Sequence, residues 1–328
     1  MPKPNEQLSR GYAIALISAV VLSTTGIFIR YLTQNYHLPA LVLAFWRDGF
    51  VALTLLPVLA LLRPALLRVE RRHLAFLVAY GLVLAIFNAS WTLAVSLTGA
   101  AVATVLVYCS AAFTALLGWW FLHEQLNASK LVTIVLCLAG CLLVSGALDA
   151  EVWKSNPLGL LTGVLSGLLY AIYSLMGRSA SQRGLNPWTS LLYTFGFAAV
   201  FLFSFNLFPA GLLPGSAARM ADLFWLGNSV SGWGILFLLA AGPTVIGFGL
   251  YNVSLSYLPS SVANLIVTIE PAFTAISAYF LFGEALTAIQ LAGSLLILGG
   301  VIFLRLSTNW QVRQYNRAHE TVSSHPCL

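Results

Sequence analysis

Three ionisable residues stand where almost nothing else is charged. Glu270 lies in the run Asn264-Leu265-Ile266-Val267-Thr268-Ile269-Glu270-Pro271-Ala272-Phe273, and Arg47 and Asp48 lie in Leu43-Ala44-Phe45-Trp46-Arg47-Asp48-Gly49-Phe50-Val51. A bare carboxylate deep in an apolar layer is costly, so Glu270 must face a cavity, pair with a base or carry a proton. That makes Glu270 the proton-coupling candidate; the plainer reading is a hydrogen bond to backbone freed by Pro271. The planar fork of Arg47 suits an anionic substrate group such as a carboxylate. It equally suits an interhelical tie or a reach to lipid headgroups. Neighbours in a helix do not face each other, so Arg47 and Asp48 are each expected to find a partner elsewhere, or water.

Uncharged polar and aromatic side chains recur in the same apolar runs. Asn88, Trp91 and Tyr108 belong to the first half, and Tyr170, Tyr173, Tyr251, Asn252, Asn264 and Thr268 to the second. Amides and hydroxyls in membrane spans face protein or water rather than lipid. Aromatic walls with a few polar groups make small-molecule pockets. These nine and Arg47 are the expected substrate-binding set, although Trp91, Tyr108 and Tyr251 also suit an interfacial belt. Gly242, Pro243 and Pro271 are the expected gate or kink positions, because proline removes a donor and crowds the preceding turn. Gly159, Gly163 and Gly167 form a small-residue face for close helix packing. Glu124 and Glu284 are expected to cap the helix that follows each or to pair with a base.

Other chemistries find little support. Cys137 and Cys141 are one helical turn apart but have no companion ligands, so they read as packing residues and no metal is expected. His123-Glu124 lacks the second histidine of a zinc-protease helix, and the chain has no Walker-type glycine loop. No cofactor is expected.

The elements that must position these residues are membrane spans. The chain has 328 residues, is 59% hydrophobic and 8% charged, and has a mean hydropathy of +0.88. Soluble domains carry roughly 25% charged residues, so lipid is the solvent for much of this chain. The fold class is an all-α integral membrane protein. Ten helices are predicted, at about 11–32, 39–62, 74–95, 100–122, 130–147, 157–177, 187–208, 233–257, 261–282 and 287–305. The first is read as retained rather than as a cleaved leader. Breaks fall at His37-Leu38-Pro39, Arg63-Pro64, Thr98-Gly99, Asn186-Pro187 and Leu258-Pro259. The net charge of +6 reflects topology rather than nucleic-acid binding. Arg63, Arg68, Arg71, Arg72, Lys130, Arg178, Arg183, Arg305, Arg313 and Arg317 fall on the side of Lys3 and Arg10, which puts both termini in the cytoplasm.

The halves repeat. At a spacing of 160 residues Ala112-Phe113-Thr114-Ala115 meets Ala272-Phe273-Thr274-Ala275, Glu124 meets Glu284 and Gly140 meets Gly300. At 148, Gly11 meets Gly159, Ser18 meets Ser166 and Arg30 meets Arg178. Five spans per half force the second copy to enter the bilayer from the opposite side, which gives two inverted five-helix repeats. The expected organisation is a cytoplasmic N-terminus at 1–10, a first repeat at 11–147 and an extracytoplasmic linker at 148–156. A second repeat follows at 157–305, with a loop insertion at 210–232 whose Phe224, Trp225 and Trp233 suit a headgroup layer. The tail at 306–328 is expected to be cytoplasmic and mobile.

These features resemble the EamA-type ten-helix branch of the drug/metabolite transporter superfamily. The resemblance rests on the paired halves, on Trp120-Phe121-Leu122-His123-Glu124 beside Phe280-Leu281-Phe282-Gly283-Glu284, on Glu270-Pro271, and on the glycine-bearing fifth and tenth helices. It covers about 11–305. The first half has Ser110-Ala111 where many relatives carry a proline, which removes the support for matched kinks in helices 4 and 9. The resemblance implies a secondary transporter, an exporter of a small organic metabolite such as an amino acid, working by alternating access and not an enzyme. The implied setting is the bacterial inner membrane, multi-pass; the driving force is open between a proton gradient, the substrate's own gradient and no coupling ion at all. A monomer is the default, with helices 5 and 10 able to mediate a dimer. The alternatives are a membrane enzyme acting on lipid-linked substrates, against which stands the lack of clustered carboxylates or paired histidines, and a channel.

Overall fold

The computed structural model describes residues 4–144, 148, 157–208, 213–217, 219–282 and 287–323. Glu284 and nearly all of the 148–156 linker lie outside the described residues. The described chain is helical: α1 (Pro4–Leu22), α2 (Thr25–Tyr36), α3 (Ala40–Leu62), α4 (Arg71–Tyr108), α5 (Ser110–Leu122), α6 (Ala128–Val144), α7 (Pro157–Gln182), α8 (Pro187–Asn206), α9 (Val230–Leu239), α10 (Gly249–Ser254), α11 (Ser260–Val267), α12 (Glu270–Phe282) and α13 (Ala288–Ser323). A wide π-type segment, Ala240–Phe248, joins α9 to α10. Eight stretches among the described residues are long and apolar enough to cross a bilayer: Glu6–Tyr36, Ala40–Leu62, Arg71–Thr98, Ala103–Leu122, Pro157–Gln182, Pro187–Asn206, Val230–Ser254 and Ala288–Ser307. The expected fifth span is the shorter apolar helix α6. The expected ninth is divided between α11 and α12, neither of which reaches the ~20 residues of a full crossing.

The turns fall where the sequence signals them. His37 takes a left-handed conformation (φ 50°) after α2. The Asn186 side chain accepts the Trp188 amide at 2.9 Å as an N-cap, with Pro187 opening α8. Helical hydrogen bonding continues through Gly99, yet the chain doubles back near it. Tyr80 stacks against Tyr173 of α7 and Thr98 abuts Gly159, whereas Leu106 lies against Gly163 and Gly167. The tenth helix runs past its expected end at Arg305: α13 continues through Ser323. No proline or glycine interrupts the sequence there, so nothing stops the helix.

The halves interlock through antiparallel pairs. Along α6 and α13, Val144 accepts from Gln290 while Gly300 accepts from Thr133. A Cβ on Gly140 would lie 2.5 Å from the Ile297 side chain and 2.7 Å from the Gly293 carbonyl, so only glycine permits this approach. Gly140, Gly293 and Gly300 are thus occupied inside the chain rather than offered to a second copy. Along α3 and α8, Asn206 donates to the Leu41 carbonyl, and Thr189 donates to the Leu66 carbonyl just beyond the end of α3. Along α1 and the α9–α10 stretch, Gly11 meets Leu258 and Ser18 donates to the Gly247 carbonyl at 2.8 Å.

Contacts also sort the bundle's two ends. Arg10 lies over Tyr257, Arg305 over Tyr12 and Arg183 over Phe76, while Arg178 reaches the Leu255 carbonyl and Lys130 reaches Ser261. These basic residues share one end. The other end carries an aromatic group in which Trp46 contacts Phe50, Phe224 and Trp233. The short helical turn Met220–Phe224 is tied there, because Trp46 donates to the Leu223 carbonyl at 2.6 Å.

Candidate functional site

A cavity of about 80 Å³ lies inside the bundle, and every interrupted helix contributes to its wall. Leu22 and Thr25 flank the break between α1 and α2. Val107 and Tyr108 precede Cys109, where α4 gives way to α5. Phe248 closes the π-type segment, and Glu270 opens α12 after the Thr268-Ile269 break. Unwound backbone in a membrane survives only where protein pairs it or a cavity wets it. Side chains do much of the pairing here. Thr24 donates to the Val21 carbonyl at 2.8 Å, Thr274 to the Ser23 carbonyl at 3.0 Å, and Thr268 to the Leu265 carbonyl at 2.6 Å. Pro243 frees the carbonyl of Leu239, four residues earlier. The Thr244 hydroxyl takes that carbonyl at 2.8 Å.

The first half bends without a proline. Helix 4 is interrupted at Cys109 and helix 9 at Thr268-Ile269, positions matched in the 160-residue repeat. Ser110 donates to Asn264 at 3.1 Å across the two breaks, so the bends are stitched together. Pro271 sits in the first turn of α12, where its missing N–H costs nothing.

Arg47 and Asp48 are both buried, at 3% and 0% exposure, and they pair with each other: Arg47 Nε stands 3.3 Å from Asp48 Oδ1. This corrects the expectation for Arg47, which pairs with its neighbour; Asp48 also meets that expectation, because it finds Asn88 as well. The arginine side chain is long enough to bend back across the turn. Asn88 donates to the other Asp48 oxygen at 2.7 Å. Arg47 Nη2 is buried and has no hydrogen-bond partner. Across the cavity wall Tyr108 donates to Glu270 Oε2 at 2.6 Å, which joins the halves through the carboxylate rather than through backbone freed by Pro271. Phe87 stacks on Tyr170 with centroids 5.2 Å apart.

The cavity thus gathers Arg47, Asn88, Trp91, Tyr108, Tyr170 and Glu270 from the expected set. Tyr173, Tyr251, Asn252 and Asn264 stand apart in a second buried cluster. Tyr80 donates to Asn252 at 3.2 Å, and Asn252 to Tyr173 at 2.9 Å. Ser174 bonds Tyr251 at 2.7 Å, and Asn264 donates to Ser174 at 3.3 Å. Thr268 is buried against its own helix. Tyr108 and Tyr251 are 5% and 0% exposed, so neither is a belt residue. Gly242 has open space where a side chain would point, and Pro243 is buried in the π-type segment.

The second cluster stands between the cavity and the basic end. Along α7, Tyr170 is in the cavity wall, Tyr173 and Ser174 are one turn on, and Arg178 follows. Beyond the cluster, Glu124 accepts the Ser260 amide and hydroxyl, each at 2.6 Å, the Ser261 amide at 3.2 Å and the Ser261 hydroxyl. Lys130 donates to the Ser261 hydroxyl at 2.9 Å and to the Gln125 carbonyl at 2.6 Å. Glu124 therefore caps α11 in the other half, not the helix that follows it.

Thr25, Phe87, Thr104 and Phe248 line the cavity but escaped the sequence reading. The polar pair Thr24-Thr25 before Gly26, inside an apolar run, was the available signal for the first. Phe87 and Phe248 carry none, because aromatic residues are common throughout these spans.

Comparison with known proteins fits this architecture. The profile of the EamA-like transporter family matches twice, at residues 9–146 and 157–306. An uncharacterised transporter of Archaeoglobus fulgidus is 28% identical over 89% of this chain and 95% of its own length. An S-adenosylmethionine uptake transporter of Rickettsia conorii is 24% identical over 93% of this chain and 95% of its own. A solved crystal structure superposes with a TM-score of 0.71 over 91% of this chain and 98% of that one, at 16% identity, which speaks to fold alone.

Proposed function

This chain belongs to the EamA-like transporter family, and from that premise we propose that it exports a small organic metabolite, such as an amino acid, by alternating access. One observation carries the reading: the breaks in helices 1, 4, 8 and 9 all open on a single internal cavity that also holds a buried arginine and a carboxylate. Interrupted helices around a central polar site are how many secondary transporters bind and move substrate. The cavity is far below the ~300–1,000 Å³ of typical ligand pockets, so loading requires the broken helices to move apart. The antiparallel pairing of α6 with α13, and of α3 with α8, supports two oppositely inserted halves that rock against each other.

The wealth of arginine and lysine at one end supports reading that end as cytoplasmic, with both termini inside, in the plasma membrane of a bacterium. The sealed tyrosine–asparagine cluster and the Glu124 cap then close the cytoplasmic side. Glu270, bound to Tyr108, is the group that exchanges protons as access alternates. The chain works as a monomer.

Purified protein in liposomes tests this. Saturable flux with counterflow of an amino acid, another metabolite or S-adenosylmethionine is expected. Flux without exchange would mean a channel, and product formation an enzyme. Everted vesicles that accumulate the substrate under an imposed proton gradient support export. Accumulation only by right-side-out vesicles reverses the direction.

A further inference from the structure

We propose that the Arg47 wall of the cavity is an anion subsite that seats a substrate carboxylate, an inference that rests on the transport reading. Its origin is a valence left over after the local hydrogen bonds are made. Asp48 takes Arg47 Nε on one oxygen and the Asn88 amide on the other, so its own acceptors are engaged. Arg47 Nη2 is buried and unpartnered, and the residue is 3% exposed. A buried charged donor without an acceptor is among the costliest arrangements in a protein, and in a native site it calls for an explanation. The same wall holds a second such atom: Thr25 Oγ1 is buried, unpartnered and part of the cavity lining. Of the remaining orphaned side-chain atoms among the described residues, those of Thr54, Thr114, Ser190 and Thr194 do not line this cavity.

A guanidinium nitrogen that can only donate and a hydroxyl that can donate, both unpartnered on residues lining one void, call for a group that accepts. Charge narrows the choice. Arg47 is the one cation among the lining residues, and Asp48 and Glu270 are acidic beside it, so every added negative charge weighs against binding. A dianionic phosphate therefore fits poorly, while a single carboxylate uses the guanidinium nitrogen and the threonine hydroxyl. The stacked Phe87–Tyr170 pair gives the rest of the molecule an apolar surface. Asp48 and Asn88 act as positioning residues: Asn88 holds Asp48, and Asp48 holds Arg47 through Nε, while Nη2 is left without a partner.

The probes are the twenty standard amino acids and their carboxamides, which differ only in the group at issue. Each is added to the full-length purified protein, and thermal stabilisation is read. At least one acid should raise Tm by several degrees, and its carboxamide should not at equal concentration. Arg47→Gln should weaken that acid at least tenfold, and Thr25→Val about threefold. Because Arg47→Gln strands a buried carboxylate, Arg47→Gln/Asp48→Asn is measured beside it; its unliganded Tm reports folding, and it should lose the acid as well. Equal stabilisation by carboxamides, acid binding that survives in the folded double variant, or stabilisation by no acid of the panel each overturns the subsite. Saturable counterflow of carboxamides untouched by Arg47→Gln overturns the subsite and leaves transport standing. Binding that follows this pattern without any saturable exchange in liposomes overturns transport and leaves the subsite standing.

Discussion

Two buried polar clusters lie one helical turn apart in this bundle, and they differ in how completely their hydrogen bonds are made. In the cluster of Tyr80, Tyr173, Ser174, Tyr251, Asn252 and Asn264, no side-chain oxygen or nitrogen is orphaned. In the cavity next to it, Arg47 Nη2 and Thr25 Oγ1 are. The residue types overlap, so chemistry alone does not separate them. Completeness does. A fully paired polar network rigidifies what it joins, whereas leftover valence beside a void is available to a ligand. On the proposed reading the tyrosine–asparagine cluster is a seal toward the basic end, and the cavity is the site that the seal closes.

The largest test of that distinction is Glu270→Gln. The change is nearly isosteric and keeps an acceptor for Tyr108, so folding should be kept and Tm should move by only a degree or two. Proton-driven accumulation should fall at least tenfold while downhill exchange persists. Transport that retains the pH dependence of the unmodified protein would remove Glu270 from coupling and make it one more structural hydrogen bond.

Asn264→Ala strikes the sealed side and should reverse the pattern. It removes the acceptor for Ser110 and the donor to Ser174 at once. Interhelical hydrogen bonds in membrane proteins average about 0.6 kcal/mol, and unpaired buried hydroxyls add to the loss, so about 1–3 kcal/mol is expected. The reading is a Tm fall of several degrees, with faster alkylation of a cysteine introduced at Ser174 from the basic end. An unchanged alkylation rate would mean that this cluster does not seal.

Sequence made the spans, the breaks and the repeat legible because each has a local cause: apolar length, proline or glycine, and similarity at a fixed spacing. Arg47, Asn88, Trp91, Tyr108, Tyr170 and Glu270 reached the cavity because a polar or aromatic group in an apolar run must face protein. The same rule took Tyr173, Tyr251, Asn252 and Asn264 for substrate contacts, since it cannot tell a polar group that meets another protein group from one that meets a void. That difference is set by partners 77 to 172 residues away, such as Ser174 for Tyr251 and Tyr80 for Asn252. The Arg47–Asp48 pair was missed for the opposite reason. It is local, but it depends on a rotamer rather than on helical direction.

A smaller effect should come from Glu124, where the two repeats part company. Ser260 and Ser261 supply four donors to its carboxylate, and the positions 160 residues earlier are Ala100 and Ala101. The amide of Glu124→Gln has one acceptor oxygen rather than two and no charge for the N-terminus of α11. About 1 kcal/mol should be lost, in line with caps and helix-end charges. Chemical denaturation of the detergent-solubilised protein measures it. A loss indistinguishable from zero would show that the cap is not what holds α5 to α11.

The smallest and most discriminating change is one substitution made twice. Tyr80→Phe removes a single donor to Asn252 but keeps the ring against Tyr173 at 4.8 Å, so about 0.6 kcal/mol should be lost, with transport intact. Tyr108→Phe removes a single donor to Glu270 and keeps a buried ring of the same shape. Its stability cost should be no larger, yet on the proposed reading its proton-driven transport should fall severalfold, because the lost partner belongs to the group proposed to exchange protons. The atom deleted is the same in both. If the two variants lose transport equally, the division between a sealing cluster and a working cavity is wrong, and the whole polar interior acts as one unit.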